Sequence, residues 1–119
     1  MDSGIYIAIF RLNNAREICV GRLGVFDFPA GVWLYVGSAQ KNLQARLDRH
    51  GRADKKLRWH IDYLSAQATM LGAIMIPGDK QRECETAAQL GELHARPIRN
   101  FGASDCRCGG HLFYACELI

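Results

Sequence analysis

The chain has 119 residues, is 49% hydrophobic and 23% charged, and carries a formal charge of +3. That length suits one domain, 1–119, with its own core. No stretch supplies the ~18 uninterrupted apolar residues of a membrane span, and the N-terminal "GIYIAIF" follows Asp2 without a basic lead or a small-residue cleavage pattern, so the expectation is a cytoplasmic protein without membrane attachment. The five cysteines, Cys19, Cys84, Cys106, Cys108 and Cys116, are odd in number and irregular in spacing, which predicts thiols rather than disulfides.

In chain order, "GIYIAIFRL" alternates Ile5, Ile7 and Ile9 with Tyr6, Ala8 and Phe10, the period-two pattern of a strand. "ICVGRLGVFDF" reads as one or two short strands broken by Gly21 and Gly24, and "VWLYVG" as a further strand of an antiparallel meander. In it Trp33, Tyr35 and Gly37 share a face opposite Leu34 and Val36. Ser38 is a candidate cap for a helix running to about His50, with Leu43 and Leu47 on its apolar side and Arg46 and His50 as a second i, i+4 pair, stopped by Gly51. "KKLRWHIDYLSAQA" predicts another helix, "MLGAIMIP" a buried strand, "DKQRECETAAQLGELHA" a third helix from near Asp79, and "HLFYACELI" a closing strand.

Charge is concentrated. Between Arg46 and Arg58 six basic residues face two acids, so this segment is +4 and the remainder −1. Arg49, Arg52, Lys55, Lys56, Arg58 and the adjacent His60 are therefore candidates for contact with a polyanion, DNA first.

The residues Gly4-Ile5-Tyr6, Tyr35-Val36-Gly37, an arginine nine positions past that glycine, a histidine four further on and a later helical glutamate resemble the GIY-YIG nuclease superfamily. The fragments "YVGSA", "RH", "WHIDYL", "EC", "FGASDC" and "HLFY" resemble its small single-domain subfamily of uncharacterised role. The resemblance implies an α+β-type α/β domain, a small, mainly antiparallel sheet flanked by helices. Tyr6 and Tyr35 stand 29 positions apart, further than in the better-known members, so it also implies a β-hairpin inserted between the two motif strands.

The implied activity is divalent-metal-dependent endonuclease cleavage of DNA, or RNA, with one incision per site. Tyr6 would activate water, Tyr35 would assist, Arg46 would grip phosphate oxygens bidentately, and His50 would orient water or phosphate. Glu83 would hold Mg²⁺ or Mn²⁺, an ion suited to one carboxylate and several waters. Glu85 is the alternative, but Glu83 has Ala87 and Leu90 at helical offsets, whereas Glu85 has Gln89 and Glu92. Asn100, Ser104 and Asp105 would form a polar loop at the site. A non-catalytic nucleic-acid-binding module is the first alternative. The second is a thiol or zinc-binding structural domain, although the C-x-C spacing of Cys106 and Cys108 before His111 departs from the usual zinc pattern and favours packing thiols.

Overall fold

The computed structural model describes residues 2–102 and 109–117. It is a small α+β domain with a four-stranded antiparallel sheet flanked by three helices. Strand β1 (Gly4–Leu12) lies between β4 (Gly31–Ala39) and β5 (Thr69–Ile76), and β4 also pairs with β6 (Leu112–Cys116), giving the order β5-β1-β4-β6. The intervening β2 (Arg16–Val20) and β3 (Gly24–Phe28) form a separate hairpin. The meander expected from local pattern is thus replaced by the inserted hairpin, which returns β4 directly beside β1.

The period-two alternation of β1 and β4 divides the core. Tyr6, Ala8, Phe10, Trp33 and Tyr35 pack on one side with Leu43 and Leu47 of α1 (Leu43–Gly51), Ile61 and Leu64 of α2 (His60–Ser65), and the hairpin residues Ile18, Val20 and Phe28. Ile5, Ile7, Val36 and Phe113 pack on the other against Ala87 of α3 (Lys80–Leu93). Helix α3 begins where the sequence predicts: Asp79 is its cap and accepts from the Gln81 amide.

Three local expectations are corrected. Ser38 does not cap a helix; β4 continues through Ala39, and α1 starts after Asn42, which takes a left-handed conformation with φ 56°. The strand over "MLGAIMI" is an edge strand, with Leu71, Ile74 and Met75 exposed. Its apolar composition suggested burial, but composition does not report whether a neighbour covers each face. Cys84 is disulfide-bonded, whereas Cys19 and Cys116 are free, so the expectation of thiols throughout fails at Cys84.

One cross-strand pair fixes the site. Tyr6 lies opposite Gly37, and a Cβ on Gly37 would stand 2.4 Å from the Tyr6 ring and hydroxyl. The tyrosine ring therefore occupies the space that a side chain at position 37 would fill, a physical reason for glycine two residues after Tyr35.

Candidate active site

A cavity of about 300 Å³ is lined by Tyr6, Tyr35, Gly37, Ser38, Arg46, Arg58, Trp59, His60, Lys80, Glu83 and Gly102. It gathers residues from both faces of the sheet: Tyr6 and Tyr35 from one, Ser38 from the other, where α3 brings up Glu83. The four residues assigned from sequence to water activation, phosphate binding and metal binding, Tyr6, Tyr35, Arg46 and Glu83, all line it.

The Tyr6 and Tyr35 rings are 6.4 Å apart. Burial raises the pKa of both phenols, opposed at Tyr6 by the charge and hydrogen bonding of Arg46. Both are protonated at neutral pH. The Tyr6 hydroxyl is 2.8 Å from His50 Nε2. His50 itself is only 1% exposed and does not line the cavity; it stands behind Tyr6. Its Nδ1 has no hydrogen-bond partner among the described residues, and burial together with the nearby Lys55, Arg49 and Arg46 charges, against the opposing Asp62, lowers its pKa from 6.5 to about 4. The imidazole is therefore neutral at pH 7.

This depressed value has a consequence for stability. Unfolded, His50 binds a proton below about pH 6.5; folded, it resists one until about pH 4. The folded state is thus unpenalised above pH 6.5 and loses stability as the pH falls between these values, by ~3 kcal/mol in full. Urea unfolding of wild type and His50→Gln at pH 7 and pH 4 should show that wild type loses more stability to acid by about this amount; equal losses would refute the assignment.

Arg46 Nη1 donates to the Ser38 carbonyl at 2.5 Å. The Ser38 hydroxyl donates to Glu83 Oε1, and His111 Nδ1 lies 2.9 Å from Glu83 Oε2. Glu83 is 8% exposed, whereas Glu85 is exposed on the outer surface of α3. A carboxylate has about four acceptor positions, so Glu83 can keep both partners and still meet a hard cation through oxygen. The donor set fits Mg²⁺ or Mn²⁺. His111 is directed to Glu83; the other two zinc candidates, Cys106 and Cys108, lie outside the described residues, as do Ser104 and Asp105. Asn100 is exposed with φ 66° and does not line the cavity; the loop's contribution is Gly102, whose amide donates to His60 Nδ1 at 2.9 Å. That bond leaves the His60 Nε2 to carry the proton, and burial lowers the His60 pKa, making it a neutral donor on the cavity wall.

The basic segment divides in two. Arg52, Lys56 and Arg58 are exposed. Arg49 instead makes two bonds to Asp62, at 2.7 and 2.9 Å, and Lys55 donates to the carbonyls of Arg49 and His50, near the end of α1, and to Ser65. A cation is favourable at a helix C-terminus, and these two residues serve the fold. Sequence reading missed Ser38, Trp59, Asp62 and Lys80. Only the last two carry a charge that could have drawn notice, and Ser38 was obscured by the misplaced helix start.

The fold and this cavity define a small α+β domain with a polar, cation-rich cleft at one end of its central strands. Residues 5–118 match the family described as Domain of unknown function DUF123, and the chain belongs to that family. No curated protein and no solved structure matches the chain. Among the described residues no helix is long and apolar enough to cross a membrane.

Proposed function

We propose that this protein is a GIY-YIG-type endonuclease that hydrolyses phosphodiester bonds in DNA with Mg²⁺ or Mn²⁺. The observation that carries this reading is the meeting of Tyr6, Tyr35, Arg46 and Glu83 in one cavity. Hydrolysis needs a deprotonated water, neutralisation of the charge growing on phosphorus-bound oxygens, and stabilisation of the leaving oxygen. A divalent ion held by Glu83 would supply Lewis-acid stabilisation of that charge.

The protein's own groups account for the remaining steps. A protonated phenol is a poor base by itself, but Tyr6 sits between the cavity and His50 Nε2. With Nε2 as acceptor, Tyr6 passes its proton to His50 as it takes one from water, and the hydroxide so formed attacks phosphorus; the ester bond to the leaving oxygen breaks, and that oxygen takes a proton from solvent. An arriving phosphodiester anion favours protonation of His50. Arg46, fixed through Ser38, offers its remaining N–H groups to non-bridging oxygens, and the planar fork suits two of them at once. The His60 Nε2–H is a further donor on the wall. Exposed Arg58, on the cavity wall, serves a phosphate at the cleft, and exposed Arg52 and Lys56 serve phosphates further along the nucleic acid.

The test is nicking of supercoiled, branched and single-stranded DNA at protein excess. Slow cleavage with Mg²⁺ or Mn²⁺ and none with EDTA is expected. Cleavage that persists in EDTA, or none with either ion on any substrate, would defeat the reading.

A further inference from the structure

The reaction above leaves Trp59 and Asp62 without a task. Trp59 lines the cavity and is ringed by guanidinium groups: the Cζ atoms of Arg49, Arg46 and Arg58 lie 4.5, 4.8 and 5.7 Å from its ring centre. Three like charges so close repel one another. Among the described residues only Arg49 of the three is ion-paired, to Asp62, which is completely buried. Left to electrostatics, Arg46 would swing away from this cluster toward solvent, because the arginine stem has several soft torsions. Three contacts oppose that movement: the Ser38 carbonyl at one end of the guanidinium, the Tyr6 hydroxyl and the indole ring beside it. A cation over an aromatic face is attracted to the ring quadrupole without using any of its N–H donors. The indole can therefore fix the guanidinium plane while leaving donors for phosphate, which a carboxylate partner could not do.

The indole is itself anchored. Asp62 Oδ2 accepts from the Trp59 and Arg58 amides, both at 2.8 Å, so the residue that neutralises Arg49 also sets the backbone from which Trp59 projects. His50 adds an edge contact at 5.9 Å.

We propose that Trp59 is the positioning residue for Arg46, held in place by Asp62. The proposal rests on the nuclease reading for its catalytic consequence, but not for the contact itself. Arginine side-chain NMR on the metal-free full chain separates the two. In wild type the Arg46 Nε–H and Cδ protons should be displaced by the indole ring current and the Nε should be ordered. Trp59→Leu should abolish both features, and Trp59→Phe should restore order. Thermal melts of each variant identify general unfolding. In single-turnover cleavage at saturating protein, Trp59→Leu should slow the reaction about ten- to a hundredfold, the scale of a misplaced catalytic group, with DNA affinity within a few-fold. Adding it to Arg46→Ala should cause no further loss.

A mobile, unshifted Arg46 in wild type would overturn the proposal. So would unchanged cleavage by Trp59→Leu where Arg46→Ala is slow. If wild type cleaves nothing, the nuclease reading fails, and the spectrum alone decides whether Trp59 holds Arg46.

Discussion

Glu83→Gln is expected to reduce metal-dependent cleavage by on the order of a thousandfold or more, the several kcal/mol that a bound divalent ion contributes to charge stabilisation, while the protein stays folded. Glutamine preserves the length of the side chain and an oxygen that can accept from Ser38. Its amide can be accommodated by a change of tautomer at His111, which faces the other carboxylate oxygen. What it removes is the negative charge at the only acidic residue lining the cavity among the described residues. Glu85→Gln, two positions along the same helix but exposed, should cleave as wild type does. Cleavage rates with titrated Mn²⁺, alongside thermal melts, distinguish the outcomes. Full activity in Glu83→Gln, or its loss in Glu85→Gln, would show that the metal is held elsewhere.

Glu83 was separable from Glu85 in the sequence because helical offsets of four and seven report which face meets apolar neighbours. The two faces of β1 and β4 were legible for the same reason, strand alternation leaving Tyr6 and Tyr35 on one side. The start of α1 was not. A serine before an amphipathic run can cap a helix, yet here pairing with β1 carries β4 as far as Ala39 opposite Gly4, and that pairing depends on a partner strand more than thirty residues away in the chain. Charge proved a still poorer guide to role. Arg49 and Lys55 are chemically equal to Arg52 and Lys56 in sequence, but Asp62 and the end of α1 draw the first two inward. Trp59 stood as an apolar residue in a basic stretch, and nothing local indicates that three arginines converge on it.

Asp62→Ala is expected to cost about 3–5 kcal/mol of folding stability, the scale for removing one partner of a buried ion pair, out of the roughly 5–15 kcal/mol of an ordinary domain. The Asp62 carboxylate is 0% exposed and accepts four hydrogen bonds, two from Arg49 and one each from the Arg58 and Trp59 amides. Alanine would leave a partly buried guanidinium and two amides without the Asp62 acceptor. Asp62→Asn keeps the shape and one carbonyl oxygen, so its loss should be smaller. Burial by itself would raise the Asp62 pKa, but the hydrogen bonds from Arg49 and the two amides outweigh it and hold the carboxyl below its ordinary value. A carboxyl depressed on folding contributes stability in full above its unfolded pKa and loses that contribution as pH falls through the folded one. The difference in unfolding free energy between wild type and Asp62→Ala should accordingly be largest near pH 7 and shrink in acid below the usual carboxylate range. Urea denaturation across that interval measures it. A difference under ~1 kcal/mol at pH 7, or one that grows on acidification, would mean that Asp62 is not the anchor of the Trp59 segment.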